Sequence, residues 1–124
     1  MNTMSRWLNM AHLGCTLSSL VEHAHHLRQI RKEELRVGDR VLVVTCNSVY
    51  SVKAAEGGLY LVSGGWFDRK GLSPMKTTIR GCTWGGSAIK LDIIAACGLR
   101  LEFGNRVVTS PIRKVFVFPY GSEN

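Results

Sequence analysis

Over residues 16–34 the apolar positions Leu17, Leu20, Val21, Ala24, Leu27 and Ile30 recur at steps of three and four, whereas from Leu35 onward apolar and polar residues tend to alternate. The first pattern predicts one amphipathic helix over 16–34. Ser19 and Glu22 stand at capping-box spacing, the segment holds no Gly or Pro, and Arg28, Arg31 and Lys32 complement the helix dipole at its C-terminal end. The second pattern predicts a β domain over 35–120, punctuated by Gly, Asn and Asp at turns. Strands are expected at 40–45, 49–54, 59–62, 75–80, 88–97, 99–103, 107–110 and 112–118. Glu56-Gly57-Gly58 marks a hairpin turn, because glycine accepts the positive φ that tight hairpins need. Residues 64–74 read as a longer basic loop, and 81–87 as a glycine-rich bulge or sheet corner. In the last strand Val115 and Val117 fall on one face, Phe116 and Phe118 on the other.

The expected fold is therefore mainly β: a small compact barrel or sandwich of about six to eight antiparallel strands with one N-terminal amphipathic helix. The helix must bury its apolar stripe, either by plugging the barrel or by docking on a partner. Residues 1–15, with alternative starts at Met4 and Met10, read as a poorly ordered lead-in, and 121–124 as a loose tail.

Length and composition narrow the picture. A chain of 124 residues with 45% apolar side chains suits one folded domain, and no run of apolar residues is long enough to span a membrane. Leu13-Gly14-Cys15 imitates a lipoprotein signal but has no apolar stretch before it. The four cysteines, Cys15, Cys46, Cys82 and Cys97, form no Cys-x-x-Cys pair and are too few for a disulfide framework. Free thiols point to a reducing, cytoplasmic setting, with Cys46 and Cys97 closing apolar runs as small hydrophobes.

Catalytic and metal chemistry find little purchase. His23, His25 and His26 cluster on the expected helix, and Glu22 to His25 has the spacing of carboxylate-bridged metal sites, but the further ligands of such a site are missing. The cluster reads as a polar helix flank, with no metal assigned. Gly85-Gly86-Ser87 falls short of a nucleophile elbow because Ile89 stands where glycine is required, and no histidine follows His26. Gly81–Ser87 also lacks the Gly-Lys-Ser/Thr ending of a phosphate loop. No catalytic residue and no cofactor is assigned.

Charge is the strongest lead. The formal net charge is +7, and beyond Leu35 twelve Lys and Arg face six Asp and Glu, so six of the seven charges belong to the β domain. Arg69, Lys70, Lys76, Arg80 and Lys90 are interleaved with Trp66 and Trp84. Cations that hold phosphates beside aromatic rings that stack on bases are the pattern of nucleic-acid grooves. The sequence thus suggests a non-catalytic binding module for an anionic partner, nucleic acid first. A second reading is a protein-interaction or homo-oligomeric assembly module, using the helix or the final Val-Phe strand. A small enzyme built on Cys82 or Ser87 ranks third.

Overall fold

Alternation from Arg40 onward becomes sheet in the computed structural model, which describes residues 25–85 and 88–120. Among the described residues there are eleven strands: β1 (His25–Leu27), β2 (Gln29–Arg31), β3 (Arg40–Thr45), β4 (Val49–Ala54), β5 (Tyr60–Gly64), β6 (Met75–Thr77), β7 (Ile79–Gly85), β8 (Ala88–Lys90), β9 (Ile93–Ala96), β10 (Arg100–Phe103) and β11 (Ile112–Phe118). A short helix α1 (Gly65–Arg69) follows β5, and 3-10 turns occupy Lys32–Glu34 and Glu56–Gly58. The strands form a six-stranded sheet in the order β1-β11-β3-β4-β5-β6, a three-stranded sheet β10-β7-β8 and a pair β2-β9. All pairings are antiparallel.

The register explains the core. Val117, Val41, Val52, Val62 and Met75 stand opposite one another across β11, β3, β4, β5 and β6. Neighbouring positions put Val43 and Tyr50 on the same face. These residues pack with Ile79, Cys82, Ile93, Ile94, Leu101 and Phe103 from the smaller sheets into one apolar cluster. Branched side chains fit this pleated surface, and each fully buried Val, Leu or Phe contributes about 1.5–3 kcal/mol of transfer free energy. At one end of the sheet an aromatic group closes the core, with Phe67 edge-on to Phe103 at 4.9 Å and Tyr50 5.6 Å from Phe103.

Several expectations are met: β3, β4 and β11 have the expected bounds, and β4 returns through the Glu56–Gly58 turn into β5. Others are corrected. The sheets do not close into a barrel, because β1 and β6, the two outer strands of the large sheet, pair with different neighbours rather than with each other. The helix expected over 16–34 is replaced at 25–31 by two short strands, while its first part lies outside the described residues. Leu27 and Ile30 both face the main core, but on different sheets, because the chain bends at Arg28 between β1 and β2. Their three-residue spacing comes from that corner rather than from a helical turn.

The expected loop at 64–74 contains α1, and the strand expected at 75–80 breaks at Thr78, so that β6 and β7 join different sheets. Residues 107–110 contribute one isolated bridge, Glu102 to Val108. β11 cannot offer a free docking edge, since β1 and β3 pair with it on either side. Cys46 is exposed in the β3–β4 turn rather than buried, and Cys97 is half-buried. Among the described residues no helix is long and apolar enough to cross a membrane.

Candidate anion-binding surface

The face of the six-stranded sheet opposite the core carries a row of basic residues. Arg40 stands opposite Lys53, Lys53 opposite Leu61, and Leu61 opposite Lys76, so one transverse row crosses β3, β4, β5 and β6. Directly opposed residues share a face, and neighbouring strands lie about 4.8 Å apart. The row therefore sets Arg40 beside Lys53, with Lys76 two strands further along. Arg40 and Lys53 are half-buried and Lys76 is exposed. No carboxylate among the described residues pairs with any of the three; the ion pairs there are Arg31 with Glu33 and Asp92, and Arg80 with Glu102.

An aromatic ring borders this row. Tyr120 is 74% exposed although its backbone is anchored. Its N–H donates to Asp39 Oδ1 at 2.8 Å, and Asp39 Oδ2 accepts from the Arg36 N–H at 2.9 Å. Asp39 itself is buried. The Tyr120 ring lies against Gly38, where a Cβ would come within 2.8 Å of the ring; Gly38 also has φ +97°, a conformation glycine adopts freely. Tyr120, Val37, Leu61, Lys53, Lys76 and Glu56 line an open groove of about 650 Å³. Such a groove offers two ammonium groups, the Glu56 carboxylate, a flat ring and a small apolar floor to a ligand.

The seven residues singled out from the sequence do not converge on one surface. Trp66, on α1, is half-buried against the main core, edge-on to Phe67 at 5.2 Å, and its backbone N–H donates to the Tyr50 hydroxyl at 3.3 Å. Arg69, at the end of α1, is exposed and reaches the Ser48 hydroxyl at 3.5 Å, and Lys70 follows it, also exposed. Ser48 precedes β4 and Lys53 lies near its far end, so about 17 Å of strand separates this group from the Lys53 row. Lys76 belongs to the row described above. Arg80 is engaged with Glu102 at 2.7 Å.

Trp84 and Lys90 do meet. The Trp84 ring is 60% exposed, and Lys90 Nζ sits 5.3 Å from its centroid on the neighbouring strand. Bulges explain the placement of both outward residues on β7. Gly81 and Ile79 face consecutive residues of β10, leaving Arg80 as the extra residue. Thr83 and Gly85 likewise face consecutive residues of β8, leaving Trp84 as the extra one.

Of the two nucleophiles considered from the sequence, Ser87 lies outside the described residues. Cys82 is fully buried, its Sγ donates to the Ile94 carbonyl at 3.5 Å, and burial pushes the thiol pKa up to about 12, which suppresses the nucleophilic thiolate. Lys32 donates to the Arg80 carbonyl at 3.2 Å, and partial burial holds its ammonium pKa below the ordinary value. Among the described residues, no group of three or more His, Cys, Asp or Glu is placed to hold a metal ion. His26 is stacked on Phe116 with ring centroids 5.1 Å apart.

Arg40, Lys53 and Tyr120 were not singled out from the sequence. Arg40 and Lys53 sit thirteen positions apart in the chain, and only strand register makes them neighbours. The one sequence signal for Tyr120 is the Gly38-Asp39 turn that receives it, which looks like any strand entry. No protein-family model, curated protein or solved structure matches this chain.

Proposed function

We propose that this chain is a non-catalytic module that binds a polyanion, and that the polyanion is a single-stranded nucleic acid laid across the Arg40–Lys53–Lys76 row with a base against Tyr120. The observation that carries this reading is the direct opposition of Arg40 and Lys53, neither of which forms an ion pair among the described residues. Like charges directly opposed on a sheet are destabilising, so the fold bears a cost there that an anionic ligand would offset. The anchored, exposed ring of Tyr120 supports nucleic acid over a featureless polyanion, because bases stack on such rings. Trp84 with Lys90 is a second exposed ring beside a cation, on the β7–β8 ribbon.

One substitution separates this reading from a merely solvating surface. Lys53→Glu turns the Arg40–Lys53 opposition into an ion pair, so the melting midpoint is expected to rise, by the equivalent of about 0.2–1 kcal/mol. The same change is expected to weaken binding of a fluorescently labelled single-stranded oligonucleotide about tenfold or more, read by anisotropy. Stability and binding thus move in opposite directions. Unchanged anisotropy in Lys53→Glu removes the row from the function. Tyr120→Ala is expected to weaken the oligonucleotide but not inorganic polyphosphate, and equal losses on both would assign a plain polyanion instead.

A further inference from the structure

Between the Lys32–Glu34 turn and the end of the β4–β5 hairpin lies an open cavity of about 480 Å³. It shares the Ala54–Ala55 wall with the Tyr120 groove but holds no member of the cationic row. Ligand cavities commonly measure about 300–1,000 Å³. Leu35, Ala54 and Ile79 give this one an apolar lining. Gly57 and Gly58 stand at its rim with φ of +73° and +74°, and a Cβ on either would meet nothing within 4 Å. The glycines therefore serve the turn and leave the rim unobstructed.

Two polar side chains of this lining have donors to spare. Lys32 is held at both ends: its backbone N–H donates to the Asp92 carbonyl at 2.8 Å and its Nζ to the Arg80 carbonyl at 3.2 Å. An ammonium carries three donors, so two remain. Lys32 forms no ion pair among the described residues, because the acids around it are engaged with Arg31. Glu33 pairs with Arg31 at 3.0 Å, Asp92 at 3.5 Å, and Glu34 accepts the Arg31 N–H at 2.9 Å. Desolvation holds the Lys32 pKa down, and a partly desolvated cation attracts an anion more strongly than one in water. Tyr60 is 7% exposed, its ring packed in the main core. Its hydroxyl makes no hydrogen bond among the described residues, and burial alone raises its pKa. The oxygen is not sealed from solvent, and Tyr60 lines this cavity. A largely buried hydroxyl without a partner carries a cost that a ligand atom would offset.

We propose that this cavity binds a small organic carboxylate with an apolar body: the carboxylate on Lys32 Nζ, the body along Leu35, Ala54 and Ile79, and Tyr60 as the second donor. One cation and one neutral donor match a singly charged carboxylate better than a doubly charged phosphate group. The apolar lining favours a hydrocarbon or aryl body over a sugar. The site uses none of Arg40, Lys53, Lys76 and Tyr120, so it does not depend on the nucleic-acid reading.

The test titrates 3-phenylpropionate into the nitrogen-15-labelled full chain and follows the amide resonances. Saturable shifts are expected at Leu35, Gly57, Gly58 and Tyr60. The amide 3-phenylpropionamide, which lacks the charge, is expected to bind about tenfold more weakly or worse, and 2-phenylethylphosphonate no more tightly than the carboxylate. Lys32→Met is expected to reproduce the tenfold loss. Tyr60→Phe is expected to weaken binding about threefold while its melting midpoint stays at or above the parent's, since the hydroxyl removed has no partner in the fold. Shifts that are absent or do not saturate, or that are confined to Lys53, Lys76 and Tyr120, overturn the inference. So does equal affinity for carboxylate and amide, which tests the parent chain without any substitution. Tighter binding of the phosphonate overturns the assignment of the ligand as a carboxylate.

Discussion

Asp39 shows how one buried carboxylate organises the rim of the proposed site. Its two oxygens accept the N–H groups of Tyr120 and Arg36, residues far apart in sequence, and so fasten the residues after β11 to the entry of β3. Asp39→Asn keeps the shape but turns an NH2 group towards one of those donors, leaving a backbone N–H without its acceptor. The expected cost is about 1–3 kcal/mol, read as a lower midpoint in urea unfolding, together with weaker oligonucleotide binding because Tyr120 loses its anchor. A midpoint equal to the parent's would show that the two hydrogen bonds are replaceable by water. At this scale the sequence was legible in part. Lys76 could be singled out from its basic surroundings, whereas Arg40 and Lys53 become a pair only through strand register, which no local pattern announces.

At the scale of elements, the apolar pattern was a reliable guide where a strand lies in the interior of the large sheet and misled where strands are short and change sheets. β4 alternates over its second half, whereas β3 and the end of β11 are apolar runs buried on both faces, and their bounds follow from the turn residues that flank those runs. β1 and β2 have three residues each, too few to show a period, and the bend between them imitates helical spacing. β7 is the informative intermediate case. Its glycines were readable as bulge or corner, and Gly81 is needed because a Cβ there would run into the Lys90 carbonyl of β8. Gly81→Ala is therefore expected to force β8 away from β7 and to destabilise the fold by about 2 kcal/mol or more, measured by chemical denaturation. The exposed Trp84 beside Lys90 reports the same event, since separation of the strands should shift its fluorescence. A variant with the parent's stability and emission would mean that the two strands can spread at no cost.

For the whole molecule, the question is whether the +7 net charge acts as a diffuse field or through a defined set of contacts. The fold argues for contacts. Arg31 and Arg80 are offset by carboxylates, whereas Arg40, Lys53 and Lys76 line up on one face beside an anchored ring. Counterion release turns this into a number. Three phosphates neutralised on a single strand give a slope of about −2 for the logarithm of affinity against the logarithm of salt concentration, hence about a twentyfold loss between 50 and 200 mM salt. A titration of a labelled oligonucleotide over that range is expected to follow this slope, and Lys76→Ala to reduce it by about 0.7. A slope of −4 or steeper would mean that the scattered cations, Arg69 and Lys70 among them, act together as one diffuse surface. A slope near zero would remove phosphate contacts from the interaction and leave the row as an unneutralised cost to the sheet.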